Sequence, residues 1–347
     1  MINEKGRRYF AASNSADGFI NYFPRIFGRG RCEKLYVIKG GPGTGKSCFM
    51  KQVAKRAESA GFPVTYYYCS SDADSLDGVM IGEGKIGIID GTPPHAWEPT
   101  LVGCFDQIVD LGVFWDSDLL FSERERIKAL SEGKKGSYQN AYRYLSAYGG
   151  LVRAVEKETV AAVNLNKLKS AAERTVKKCG RKAETFEETV ALCRGIGMGG
   201  QVRFDTYEEM AMERYTVEDY AGTSHLFLGA LYQSCVREGV RVRVSRDPVL
   251  SERIDALTMI DTDVTFSAAA GGKSVNMKRF VREDVYRGLR SDLRKKLGAA
   301  EQILSFAEGQ LEQVRKYHFA LEAIYASAMN FGKKEAFTET FCTKIFG

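Results

Sequence analysis

The chain has 347 residues, of which 44% are hydrophobic and 27% are charged, so it can bury one large hydrophobic core or two smaller ones. Its formal net charge of +6 is modest for this length, and it permits an acidic partner without requiring one. No stretch approaches the roughly 18 uninterrupted apolar residues of a membrane span, so we expect no membrane partner.

The cysteines indicate a compartment. They are scattered singly along the chain and form no C-x-x-C pair. This pattern is typical of free thiols in a reducing environment rather than of a disulfide framework or a zinc site. The segment Met1–Arg8 also lacks the apolar core of a signal peptide. We therefore expect a cytoplasmic protein.

The segment Gly40–Ser47 reads GGPGTGKS and matches the phosphate-binding pattern G-x-x-x-x-G-K-[ST] at every required position. The apolar run Leu35–Ile38 predicts a buried strand before it, and helical spacing follows it, which is the setting that this motif requires. Lys46 should reach the β- and γ-phosphates of ATP, and the hydroxyl of Ser47 should bind Mg²⁺. The predicted ATP-binding residues are Gly40, Gly41, Pro42, Gly43, Thr44, Gly45, Lys46, Ser47 and Cys48.

A second nucleotide-binding motif is predicted at Lys85–Thr92. Apolar or glycine positions at Ile86–Ile89 end in Asp90, and in P-loop proteins a carboxylate at such a strand end holds Mg²⁺ directly or through water. We favour this role for Asp90 over that of a cap or turn residue, because a complete P-loop precedes it. The order of strands and helices predicts an α/β fold with a three-layer (αβα) core.

The residue that orients the attacking water is less clearly marked. The Glu that usually follows the second motif is missing, since Gly91-Thr92 comes after Asp90. Its substitutes are Glu83, Asp72, Asp74 and His95. We count His95 with Lys46 and Asp90 as the predicted catalytic residues; the alternative for His95 is a loop residue that stacks on Trp97.

Three segments carry a family resemblance: KGGPGTGKS at Lys39–Ser47, SSDADSLDGV at Ser70–Val79 and DGTPPH at Asp90–His95. Together they resemble uncharacterised bacterial P-loop ATPases that are built from two related halves. The resemblance spans most of the chain and is strongest over residues 34–100. It implies a two-part architecture and adds little about the reaction.

Residues 213–268 repeat the order of residues 34–90. Tyr36 pairs with Tyr215, and after one dropped residue Asp77 pairs with Asp255. Self-similarity over a domain-sized period predicts a duplicated P-loop NTPase core, with the chance match of two ordinary βαβ units as the alternative.

The second copy is predicted to be degenerate, structural or regulatory, so we expect one live site per chain. Its replacements are His225 for Lys46, Leu226 for Ser47 and Ala268 for Asp90, and its loop Asp219–Ser224 begins with a carboxylate. Arg246, at the end of a predicted strand, is the candidate for an arginine that assists the other half. A solvated strand face is the ordinary interpretation of such arginines.

Helical arms are predicted at residues 119–178 and 279–328, which are rich in Ala, Leu, Lys, Arg and Glu. Glycines at Gly133–Gly136 and Gly149-Gly150 should punctuate the first arm, and Gly195–Gly200 should link the halves. The arms either pack within the chain or mediate self-association or binding of a partner protein. Nucleic-acid binding is disfavoured because the basic residues are interleaved with acids and lack aromatic partners. The predicted domains are an active core at 1–118, a helical arm at 119–194, a degenerate core at 195–278 and a C-terminal helical arm at 279–347.

Three functions fit these motifs. ATP is favoured over GTP because the guanine-reading N-K-x-D is absent, Asn166–Lys169 lacking the acid. The first function is slow Mg²⁺-dependent ATP hydrolysis that couples the live half to the dead half, and the long arms favour it. The second is a kinase for a small molecule or nucleoside, with Asp72 or Asp74 binding the acceptor hydroxyl. The third is a non-enzymatic scaffold that binds ATP for stability.

Overall fold

The structure is a computed structural model, which describes residues 7–269 and 271–347. The elements of the first half are β1 (Arg7–Phe10), β2 (Ala12–Ser15), β3 (Gly18–Asn21), α1 (Phe23–Phe27), β4 (Lys34–Lys39), α2 (Lys46–Ser59), β5 (Val64–Tyr68), β6 (Leu76–Ile81), β7 (Ile86–Asp90), β8 (Asp106–Asp110), α3 (Ser117–Ser122), α4 (Arg124–Val160) and α5 (Leu165–Cys179). Those of the second half are β9 (Glu188–Val190), β10 (Arg194–Gly197), β11 (Gly200–Arg203), α6 (Thr206–Met210), β12 (Glu213–Val217), α7 (Ser224–Glu238), β13 (Val242–Arg246), β14 (Ile254–Met259), β15 (Val264–Ser267), β16 (Lys273–Val275), α8 (Glu283–Ala328) and α9 (Phe331–Phe346).

The first sheet has the strand order β1-β5-β6-β7-β4-β8 and mixes parallel with antiparallel pairs. Strands β7, β4 and β8 are parallel, whereas β6 is antiparallel to both of its neighbours. Leu35, Val37 and Ile38 of β4 are fully buried, as expected for a central parallel strand that is covered on both faces. Because β4 and β7 are adjacent and parallel, the loop after β4 and Asp90 at the end of β7 meet at one edge of the sheet.

The second sheet repeats the first. Its order is β16-β12-β15-β14-β13-β9, and each pairing has the same direction as its counterpart. Helices α2 and α7 follow the matching strands β4 and β12. The mixed α/β fold with two similar halves therefore confirms the similarity predicted from the sequence. The second sheet includes β9 at Glu188–Val190, so the second half begins before residue 195.

The two halves exchange elements. Helix α9 follows α8 in the second half but packs on α2 of the first, and α5 follows α4 in the first half but packs on α7 of the second. The segment Gly195–Gly200, predicted to be a linker, instead lies in the β10–β11 hairpin. Met198 of this hairpin donates its backbone N–H to the carbonyl oxygen of Ser71 in the first half, at 2.7 Å. This contact orders the segment, so its glycines serve a turn rather than a flexible link.

The arms α4 and α8 pack along each other in opposite directions. Backbone bridges join Trp115 to Met329 at one end and Val163 to Val281 at the other. Helix α4 is continuous through Gly133–Gly136 and Gly149-Gly150, where the sequence predicted punctuation. At Gly133 a Cβ would lie 2.6 Å from the ring of Tyr317, so this glycine allows the arms to approach closely. Self-association through the arms and binding of a partner protein stay predictions.

No helix in the ranges 7–269 and 271–347 is both long enough and apolar enough to cross a membrane.

Candidate functional site

The loop Gly40–Ser47 turns sharply between β4 and α2. Gly40, Gly43 and Gly45 have φ values of +150°, +70° and +81°, which L side chains rarely adopt. Lys46 begins α2, and its Nζ donates to the carbonyl oxygens of Gly40 at 3.1 Å and Gly41 at 2.8 Å. The lysine thus folds back over the loop at the amino end of α2, where helix N–H groups lack intrahelical acceptors. This arrangement suits an anion.

Asp90 and Ser47 lie beside Lys46. The Oδ2 atom of Asp90 is 3.6 Å from Lys46 Nζ, and its Oδ1 accepts hydrogen bonds from the N–H of Thr92 at 2.9 Å and its hydroxyl at 2.6 Å. The hydroxyl of Ser47 accepts from the N–H of Leu76 at 3.0 Å. Mg²⁺ prefers carboxylate and hydroxyl oxygens as ligands. Asp90 is buried with its Oδ2 atom towards the loop, so the residues present fit this ion.

His95 lies in the same site. Its ring stacks on Phe23, with 4.9 Å between centroids, rather than on Trp97, and its Nε2 is 3.4 Å from Oδ2 of Asp77. One ligand atom from each of Asp77, Asp90 and His95 lies within 4.8 Å of the others. Burial alone would lower the pKa of His95. The charge and hydrogen bond of Asp77, together with smaller contributions from Asp90, outweigh burial and raise this pKa to about 9. The Nδ1 atom is buried and has no hydrogen-bond partner among the described residues.

These residues open on a cavity of about 1100 Å³ that both arms help to enclose. Helix α4 contributes Lys134 and Tyr138 to its wall, and α8 contributes His318, Glu322 and Tyr325. The sequence did not predict these residues. Helical spacing identifies the apolar face of each arm, but it does not show which polar residues of the arms line a cavity. Asp77 was noted in the sequence within the segment Ser70–Val79 and as an anchor of the internal alignment, without a role in the site.

Helix α8 packs directly on the Gly40–Ser47 loop. A Cβ at Gly41 would lie 2.6 Å from the ring of Tyr325, and a Cβ at Gly43 would lie 2.5 Å from the carbonyl oxygen of Glu322. The hydrogen bond of His318 and the backbone N–H of Gly43 lower the pKa of Glu322. These two glycines are therefore needed for contact with the arm as well as for the shape of the loop.

The other predicted candidates are placed less centrally. Asp72 lines the cavity, whereas Asp74 is exposed and Glu83 lies 4.0 Å from Arg7 on a turn. Arg246 donates to Oε1 of Glu188 at 3.0 Å and lies outside the described cavity wall. Thr44 is buried, with its hydroxyl donating to the carbonyl oxygen of Gly41. Pro42 lines the cavity, and Cys48 is exposed, with Sγ 3.7 Å from Lys334 Nζ.

In the second half, side chains occupy the place that corresponds to the P-loop. Oδ1 of Asp219 accepts a hydrogen bond from the N–H of Ser224, the first residue of α7, at 3.0 Å. The Nε2 atom of His225 lies 2.8 Å from Glu156 of α4, and a guanidinium nitrogen of Arg253 lies 2.6 Å from the same carboxylate. Carboxylates thus already bind the N–H group at the start of α7 and the side chains of His225 and Arg253. These groups are therefore not free to bind a phosphate.

Glu156→Gln should destabilise the protein in a pH-dependent way. The hydrogen bond and charge of His225, with those of Arg253, outweigh burial and lower the pKa of Glu156 from 4.5 to about 2. Because the folded-state pKa is depressed, the stabilisation is present above pH 4.5 and is lost as the pH falls towards 2. We expect the substitution to lower the free energy of unfolding by about 2–3 kcal/mol near neutral pH.

Urea unfolding at several pH values measures this effect. The matched control is Glu158→Gln on the same helix, whose carboxylate is 38% exposed and pairs with Lys296. A difference between wild type and Glu156→Gln that stays constant as the pH falls below 4.5 would contradict the assigned ion pair.

A family model matches part of the chain. The family model described as Nephrocystin 3, N-terminal, matches residues 25–79, a segment that includes β4, the P-loop, α2 and β5. The match covers well under half of the chain. No curated protein and no solved structure matches the chain. These findings establish similarity for that segment, and membership of an ATPase family stays a prediction.

Proposed function

We propose that the first half binds ATP with Mg²⁺ at a single site and hydrolyses it slowly. The observation that carries this proposal is the position of Lys46 over the Gly40–Ser47 loop, 3.6 Å from Asp90, with all of these residues lining one cavity. In P-loop proteins these three parts bind the β- and γ-phosphates and the metal ion. A duplicated P-loop NTPase core of three layers, with an arm after each copy, also accounts for the equal strand orders.

Each residue has a distinct role in this proposal. Lys46 binds the β- and γ-phosphate oxygens, and Ser47 and Asp90 hold Mg²⁺, which when bound neutralises charge on those oxygens. The Nδ1 atom of His95 orients the attacking water, and Asp77 fixes the ring through Nε2. The second half lacks the equivalent groups and provides structural support.

Asp90→Asn tests the proposal. It removes the charge that faces Lys46 while keeping the size of the side chain, so Mg²⁺-dependent release of phosphate from ATP should fall by about 10²-fold or more. The matched control is Asp110→Asn at the end of the neighbouring parallel strand β8, where the carboxylate accepts from the N–H of Gly112 at 2.7 Å. Equal phosphate release by wild type and Asp90→Asn would refute the assignment of Asp90.

A kinase is the second candidate, because the cavity continues beyond the P-loop. Its wall reaches Asp72 and Tyr138, and the hydroxyl of Tyr138 donates to Oγ of Ser71 at 2.8 Å. A volume of about 1100 Å³ leaves room for an acceptor beside the triphosphate. Formation of ADP that requires an added small-molecule hydroxyl compound, with no phosphate released to water, would favour the kinase over the ATPase.

A further inference from the structure

The helical arm brings a second lysine to the cavity. Lys134 lies on α4 directly after Gly133, against which the ring of Tyr317 on α8 packs. Its Nζ is 3.0 Å from Nδ1 of His318 on α8, and both residues line the cavity that contains Lys46. The lysine is half-buried, so its charge is held in a site of limited solvation.

Burial disfavours the positive charge of Lys134, and Lys46 adds a second positive charge to the same cavity. Burial lowers the pKa of Lys134 and outweighs the opposing effects of Cys69 and Glu322, while the charge of Lys46 acts in the same direction as burial. Glu322 is held 3.4 Å from Nε2 of His318 and adjoins Gly43 of the P-loop. Two lysines thus face one cavity, and a triphosphate would relieve the repulsion between them.

The second half lacks this lysine. Asn164 and Asn330 cap α5 and α9 through the same hydrogen bond, at 3.0 Å in both, which aligns the arms with an offset of 330 − 164 = 166. With this offset Lys134 corresponds to Ala300 and His318 to Val152, both buried in the apolar core between the arms. At these aligned positions of the described residues, the basic pair is thus on the side of the Gly40–Ser47 loop and is replaced by apolar residues on the other side, as a role in that site requires.

We propose that Lys134 binds the γ-phosphate of ATP in the P-loop site, with His318 and Glu322 positioning it. This inference rests on the proposed ATP site and adds a contact from the arm to it. Lysine is a compact point charge that binds phosphate well, and a charge from a neighbouring element can stabilise the charge that develops during phosphoryl transfer. It also makes the fit of α4 against α8 depend on whether a γ-phosphate is present.

The test compares the triphosphate analogue AMP-PNP with ADP, both with Mg²⁺, by calorimetric titration of the full chain. For Lys134→Gln we expect the affinity for AMP-PNP to fall about tenfold or more, since a charged hydrogen bond is lost, and the affinity for ADP to change less than about twofold. Lys134→Arg should recover part of the AMP-PNP affinity. Lys128→Gln, an exposed lysine on the same helix, should behave as wild type in both titrations.

The outcomes separate this inference from the proposed function. If Lys134→Gln binds both nucleotides as wild type does, or loses both equally, Lys134 makes no specific contact with the γ-phosphate and the inference is overturned. If the wild-type chain binds neither nucleotide, the proposed ATP site is refuted, and the inference with it. Retained ADP binding in the variant also shows that its P-loop is folded.

Discussion

Lys46→Ala should abolish measurable ATP hydrolysis, with a loss of at least about 10²–10³-fold in turnover. The lysine lies over the loop, 2.8 Å from the carbonyl oxygen of Gly41, in the position from which it would reach the β- and γ-phosphates. Its removal takes away the charge that offsets the phosphates and leaves Asp90 facing the same space alone. The measurement is release of phosphate from ATP and Mg²⁺ by purified protein.

Lys55→Ala is the matched control for this experiment. Lys55 lies on the same helix α2 but is exposed, so its removal should leave turnover unchanged. Turnover in Lys46→Ala that equals the control would show that any hydrolysis arises elsewhere in the chain or from a contaminant.

Phe341→Ala should lower the free energy of unfolding by about 3–5 kcal/mol, the range for truncating a buried Phe. Phe341 is 8% exposed on α9, and its ring lies 4.9 Å from that of Tyr36 and 5.0 Å from that of Phe49. Tyr36 and Phe49 belong to the first half, whereas α9 comes from the end of the second. Because the halves exchange helices, we expect this loss to affect the whole chain in a single unfolding transition.

Phe331→Ala provides the comparison. It removes a ring from the same helix at a position that is 46% exposed, so its effect should be within about 0.5 kcal/mol. Denaturant unfolding followed by circular dichroism measures both variants. If Phe341→Ala destabilised the chain no more than Phe331→Ala, or if the halves unfolded in separate transitions, the exchange of α9 would not be important for stability.

The sequence predicted the parts of the fold that local patterns encode. The apolar run before Gly40 and the spacing after Lys46 placed β4 and α2, and the alignment of Asp77 with Asp255 paired positions that lie in the corresponding strands β6 and β14. These inferences succeed because strand and helix patterns, and the loop between them, depend on neighbouring residues. The proximity of Lys46 and Asp90 also follows, since β4, which leads into the loop of Lys46, is parallel and adjacent to β7, which ends at Asp90.

The exchange between the halves could not be predicted in this way. The sequence of α8 shows an apolar stripe, but such a stripe does not indicate which element packs on it. In the structure α4, which is distant in the sequence, packs on α8. Gly133 was expected to interrupt the first helical arm, because a single sequence does not reveal that the ring of Tyr317 packs against this glycine. Lys134, His318 and Glu322 were missed for the same reason: their positions in the site depend on how the arms pack.

The central claim is one live nucleotide site per chain, and the stoichiometry of ATP binding tests it most directly. Equilibrium titration of the non-hydrolysable analogue AMP-PNP with Mg²⁺ into wild type, Lys46→Ala and His225→Ala counts the sites without depending on turnover. We predict one nucleotide per chain in wild type and His225→Ala, and greatly weakened binding in Lys46→Ala. Two nucleotides per wild-type chain, or a site that survives Lys46→Ala and disappears in His225→Ala, would contradict it.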